Sequence, residues 1–240
     1  MNAFQHALLD MWKEHAAEWE RIRRRVARET RLRAWNPQLY GLPLYERFAR
    51  EHLPPAPGAL LAFGLNPGKY GMSQTGIPFT DVTRAARVGI ALEPPGLAPA
   101  SLHPFLKPYR VERSSASVYG LLDALWGDAA RGWRELWAVA PCGLLFLEPD
   151  GTNVTPADAR LARRHDVRSL RLGVMADAVA LARPRAVVAL GQDAARLTRE
   201  ALPGHDVVAV DHPVARGPGR RGPAWWAETV AARLRERGLV

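Results

Sequence analysis

The chain has 240 residues, 48% of them hydrophobic, with a formal net charge of +9 and a pI near 10.5. That size and apolar content suit one globular unit with a sizeable core, and no apolar run reaches the roughly 18 residues that a membrane span needs. The single cysteine, Cys142, excludes an internal disulfide, a cysteine-rich zinc site and a four-cysteine iron–sulfur cluster.

Residues from about 5 to 33 read as one or two amphipathic helices, because Leu8, Leu9, Trp12, Ala16, Trp19 and Ile22 recur at helical spacing. Met1 to Glu20 carries acids and lacks an apolar h-region, so it does not read as a signal peptide, and a cytoplasmic protein is expected. Arg21, Arg23, Arg24, Arg25 and Arg28 form a basic stretch that suits either DNA phosphates or a solvated helix face. The positive balance is the footprint of nucleic-acid binding. It is also what a GC-rich coding bias gives, since the excess is nearly all Arg in a chain rich in Ala, Leu, Pro and Gly. Trp35-Asn36-Pro37 ends the helix; Tyr40 to Glu51 reads as a short helix, and Pro54 to Gly58 as the turn into the first strand.

Leu60 to Leu65 is a short apolar run bounded by turn residues, the signature of a buried strand. Asn66-Pro67-Gly68 stops it. Gly64, Gly68, Gly71 and Gly76 allow close backbone approach, while Pro67 and Pro78 stiffen the loop. A rigid loop at the carboxyl end of a strand is where open α/β sheets bind ligands. No phosphate-binding glycine motif is present. The loop offers an amide, Asn66, and an aromatic face, Phe79, although a tight turn with a core Phe gives the same pattern.

Beyond the loop, Asp81 to Ile90 looks helical, Glu93 to Pro108 is a long Pro- and Gly-rich loop, and Ser115 to Leu125 returns to helix. Leu136 to Leu147 is the second strand region. Thr155-Pro156 reads as the start of a helix to about Leu181, with Thr as N-cap. Ala186 to Leu190 is a third strand, Gln192 to Leu202 a helix, and Val207 to Val210 a fourth strand that delivers Asp211-His212-Pro213. A last helix spans about Pro223 to Arg237. Such alternation implies a parallel sheet covered on both faces, an α/β class fold.

The stretch from Gly64-Leu65-Asn66-Pro67-Gly68 through Gln74-Thr75-Gly76-Ile77-Pro78-Phe79 closely resembles motif 1 of the single-strand-selective monofunctional uracil-DNA glycosylases, within the uracil-DNA glycosylase superfamily. Leu144-Leu145-Phe146-Leu147, Asn153 to Pro156 and His212-Pro213 resemble that family's further segments. The resemblance covers most of the chain from about Asn36 onward. It implies a three-layer α/β/α sandwich around a central four-stranded parallel sheet, with residues 1–35 as an N-terminal helical extension and residues 36–240 as the catalytic domain.

The same resemblance implies the chemistry. The family's catalytic pair maps onto Asn66, which positions the attacking water, and His212, which donates to the pyrimidine 2-oxygen. Phe79 matches the aromatic that stacks on the flipped base, and Gly68, Tyr70 and Met72 would line the base pocket. Lys69, standing where the family has Pro, and Arg216, Arg220 and Arg221 are expected at DNA phosphates. No cofactor and no metal is implied, and no lysine nucleophile is evident, which suits a monofunctional monomer acting on single- or double-stranded DNA.

One departure matters. The family reads the base with an Asn at the position of Ala140, and alanine has no donor or acceptor. A site built to hydrogen-bond a group rejects analogues by about 10⁴–10⁵, and that device is missing here. The sequence therefore leaves room for hypoxanthine or xanthine as the substrate base, or for a non-catalytic, damage-sensing relative. Asn153 has its own match in the family and Gln74 lies in the loop, so no substitute is evident from the sequence.

Overall fold

A computed structural model describes residues 1–106, 111–214 and 222–240. The chain runs through α1 (Ala3–Glu29), β1 (Arg33–Trp35), α2 (Pro37–Tyr40), α3 (Leu42–His52), β2 (Leu60–Phe63), α4 (Met72–Thr75), α5 (Val82–Ala85) and α6 (Arg113–Trp126). It continues with α7 (Ala129–Glu135), β3 (Leu136–Val139), β4 (Leu145–Leu147), β5 (Asn153–Val154), α8 (Ala159–Ala162), α9 (His165–Ala182), β6 (Ala186–Leu190), α10 (Gln192–Ala201), β7 (Val207–Val210) and α11 (Pro223–Glu236).

The central sheet has four parallel strands in the order β3-β2-β6-β7. Every residue of β2, β3 and β6 is buried, as expected of strands covered on both faces. In β7, at the sheet edge, only Val208 and Val210 are buried. Helices cover both sides of the sheet: α6 packs along α11 and α7, and α9 along α1 and α10. The chain leaves β2 toward β3 on one side and later fills β6 and β7 on the other. The switch in direction lies between β2 and β6, so a crevice opens at their carboxyl ends.

α1 is a single helix. Asn2 and Gln5 cap it reciprocally, each side chain accepting from the other's backbone N–H. The apolar spacing read from the sequence is its buried face, and Trp12 stacks on Tyr45 with ring centroids 3.9 Å apart. Its basic stretch is largely ion-paired on the protein itself: Arg21 with Glu18, Arg23 and Arg24 with Glu20, Arg25 with Asp166.

Two expectations need correction. Leu136 to Leu147 is not one strand region: it breaks after Val139, and β4 joins a separate antiparallel sheet of order β1-β4-β5. Pro141 cannot continue the ladder. Gly143 sits so close to its neighbours that a Cβ there would lie 2.3 Å from Gln38 Oε1 and 2.5 Å from Trp19 Cδ1. Nor does Thr155 cap a long helix. The Asp158 carboxylate accepts from the Arg160 N–H, α8 is a single short turn, and the long helix begins at His165.

Candidate active site

The parallel ladder brings the carboxyl ends of all four strands to one edge of the central sheet. The Gly64 N–H donates to the Val139 carbonyl (3.1 Å) and the Gly191 N–H to that of Val210 (2.9 Å), so the loops after β2, β3, β6 and β7 leave side by side. A cavity of about 250 Å³ opens among them. Asn66, Gly68, Met72, Phe79, Ala140 and His212 all line it, drawn together from positions up to 146 residues apart in the chain.

The Asn66 loop is fixed by bonds to its backbone. Ser73 donates through its hydroxyl and its N–H to the Gly68 carbonyl, and the Tyr40 hydroxyl donates to the Ser73 carbonyl (2.6 Å). The Glu112 carboxylate accepts from the Tyr70 N–H (3.0 Å) and the Ser114 hydroxyl (2.9 Å). It also lies against Gly68, where a Cβ would come within 2.8 Å of it. Only glycine admits that approach.

Phe79 has φ +53°, a left-handed conformation rare for a bulky residue and costing about 1–3 kcal/mol. Thr75 Oγ1 donates to the Thr80 carbonyl (2.7 Å) and holds the turn. The ring then lies over Gly64, where a Cβ would meet its Cζ at 2.7 Å. An aromatic face is thus presented in the cavity wall.

His212 is held from three sides. The Ser117 hydroxyl donates to the Pro213 carbonyl (2.8 Å), and the Trp226 indole N–H donates to the Asp211 carbonyl (2.8 Å). The Val214 N–H points at His212 Nδ1 (3.3 Å). A backbone N–H is a donor only, so Nδ1 keeps its lone pair and the neutral ring carries its proton on Nε2. Although one edge of the ring is open to solvent at the cavity mouth, the surrounding protein lowers its pKa from 6.5 by desolvation. The neutral donor form is therefore favoured at pH 7.

The other predicted residues lie elsewhere. Tyr70 is not part of the cavity wall: it is buried, and its ring lies under the Lys69 amine, 5.4 Å from the centroid. Lys69 donates to the Gly151 carbonyl (2.9 Å), tying the Asn66 loop to the β4–β5 turn. Arg216, Arg220 and Arg221 fall outside the described residues. Glu112, Ser114, Asn153, Thr155 and Val214 line the cavity without having been singled out as pocket residues. For Glu112 and Ser114 the only signal was their place at the start of α6, just after a long aperiodic loop. Cys142 is buried close by, and burial pushes its thiol up to about 11, far from a reactive thiolate. Among the described residues no three His, Cys, Asp or Glu side chains gather as a metal site would require.

A family model for the uracil DNA glycosylase superfamily matches residues 52–232. The single-strand selective monofunctional uracil-DNA glycosylase of Rattus norvegicus is 31% identical over 215 residues, covering 86% of this chain and 76% of the relative. Its Mus musculus counterpart is 30% identical with the same coverage, and that of Bos taurus 30% identical over 86% of this chain and 78% of its own. Among solved structures, wild-type Pedobacter heparinus SMUG2 superposes with a TM-score of 0.73 at 17% identity, covering 100% of both chains, a likeness of fold.

Proposed function

Because the chain belongs to the uracil DNA glycosylase superfamily, alongside the single-strand-selective monofunctional enzymes, we propose that its cavity receives a deaminated base, uracil first among them, flipped out of DNA. The protein is a DNA N-glycosylase of the uracil-DNA glycosylase type. The observation that carries the mechanistic reading is the meeting of Asn66 with a neutral His212, protonated on Nε2, in one cavity beside the Phe79 ring.

Breaking the N-glycosidic bond leaves negative charge on the base and positive charge on the sugar. His212 Nε2–H donates to the 2-oxygen, where the base becomes anionic. One preorganised donor of this kind contributes about 3–4 kcal/mol. Phe79 stacks on the extruded ring and offsets part of the cost of unstacking it. Asn66 orients water toward the sugar C1′: its Nδ2 donates to the Pro67 carbonyl (3.2 Å), which leaves Oδ1 to accept from the water. Among the described residues no lysine lines the cavity, and the nearby Lys69 amine is held on Gly151. Water is then the nucleophile, and the reaction is hydrolysis without a lyase step. Ala140 in the wall favours a second arm of the same reading, in which oxopurines such as hypoxanthine or xanthine are also released, with His212 donating to a purine ring nitrogen because hypoxanthine has no 2-oxygen.

The test is excision from single- and double-stranded oligonucleotides carrying uracil, hypoxanthine, xanthine or cytosine, with alkali to reveal abasic sites. Uracil release that Asn66→Ala abolishes supports the reading. Cleavage without alkali would refute the monofunctional mechanism, and no release from any substrate would refute the glycosylase mechanism.

A further inference from the structure

The proposed reaction leaves one edge of the base without a reader. Ala140 stands in the cavity wall at 4% exposure, and its methyl group can neither donate nor accept. Of the two other amides named from the sequence, Gln74 is 3% exposed on α4 and is not part of the cavity wall. Asn153, the first residue of β5, does line the cavity; its side chain is exposed and makes no hydrogen bond among the described residues. The remaining polar groups of the wall are less suited. The Glu112 carboxylate accepts only and is engaged by Tyr70 and Ser114, and Thr155 offers a single hydroxyl. Asn66 and His212 are assigned to water and the 2-oxygen.

Asn153 is also placed by a firm element. Its backbone is opposite Leu147 in the β4–β5 pairing, and the turn between these strands is tied to the Asn66 loop through Lys69 Nζ and the Gly151 carbonyl. The strand that carries Asn153 and the loop that carries Asn66 are therefore joined by a direct bond on one side of the cavity.

Resting on the glycosylase reading, we infer that Asn153 reads the flipped base in place of the missing amide at position 140. Its Nδ2–H donates to the ring carbonyl, and its Oδ1 accepts from the adjacent ring N–H. Uracil presents that carbonyl and N–H pair, and so do hypoxanthine and xanthine. A planar amide can turn over to meet an amino edge as well, so the contact supplies affinity for the edge rather than strict rejection of cytosine.

The experiment measures kcat/KM on uracil-containing single-stranded DNA for the parent protein, Asn153→Ala and Asn153→Asp, with circular dichroism as the folding check. The side chain is exposed and unpartnered, so neither change disturbs packing. Asn153→Ala is expected to lower kcat/KM about tenfold to hundredfold, the loss of a buried hydrogen-bonded contact. Asn153→Asp is expected to fall further, because a carboxylate repels the ring carbonyl. Two variants within about twofold of the parent, or equal losses for Ala and Asp, would overturn the inference and leave reading to the backbone. A parent protein that releases no uracil would overturn the underlying reading and the inference together, and the parent measurement alone reveals that case.

Discussion

One backbone N–H decides which nitrogen of His212 carries the proton. With Val214 N–H aimed at Nδ1, Nitrogen-15 NMR at pH 7 should show the neutral Nε2-protonated tautomer, with a titration midpoint below 6.5. A midpoint above 6.5 would contradict this account of the site. Replacing His212 by Ala should lower kcat by about 10²–10³, read by single-turnover excision, while leaving Tm nearly unchanged. Asn66, Phe79 and His212 were legible in the sequence because each stands in a segment with distinctive neighbours. The backbone amides around Gly68 to Met72 are expected from the sequence to line the pocket, and at Tyr70 the N–H is instead taken up by the Glu112 carboxylate, a partner that the sequence does not reveal. Asn153 was visible as part of a family-like segment, but only the fold shows that Ala140 and β5 face the same space.

At the level of elements, the His212 loop is gripped by two helices, α6 from 96 residues away in the chain and α11 just after it. α6 reaches the Pro213 carbonyl through Ser117, and α11 reaches the Asp211 carbonyl through Trp226. These helices pack against each other along their lengths. Ser117→Ala and Trp226→Phe each remove one bond, worth about 1 kcal/mol. Each should cost roughly fivefold in kcat with KM little changed; a KM effect without a kcat effect would show that the bonds do not position His212. Strands β6 and β7 agree with the sequence reading residue for residue, because both are short apolar runs with clear turn residues on both sides. The second sheet was not legible. β1 and β5 span three and two residues, too short to show a period, and an apolar run does not say which sheet it joins.

For the whole molecule, acid should act in two stages. His15, on α1 beside Asp177, and His212 both have pKa values lowered by burial. The unfolded chain then binds more protons than the folded one just below pH 6.5, so stability is full above that value and falls as pH drops through the folded pKa values. Glu20 and Asp166 are held below their ordinary values of 4.5 and 3.8, Glu20 chiefly by its hydrogen bond from Arg23 and Asp166 by Arg164 against the opposing effect of burial, and their contribution is lost lower still. Urea unfolding between pH 8 and pH 3 should show both declines, and a flat profile from pH 7 to pH 5 would refute the first. The N-terminal helix bears on the same scale. Trp12 is 1% exposed in the main core, so Trp12→Ala should cost about 3–5 kcal/mol. Deleting residues 1–35 should give a chain without a cooperative melt, whereas a folded, active remainder would mark those residues as an appendage. The side-chain bonds that hold the cavity's loops run to main-chain groups: Ser73, Tyr40, Lys69, Ser117 and Trp226 all grip carbonyls. The scaffold is thus independent of the wall side chains that take no part in these bonds, Asn153 among them, whereas Glu112 both faces the cavity and holds the Asn66 loop. Recognition can be rewritten at such positions without loosening the frame, while Ala140→Asn, at a buried wall position, should raise turnover of uracil at a cost of a few degrees in melting temperature.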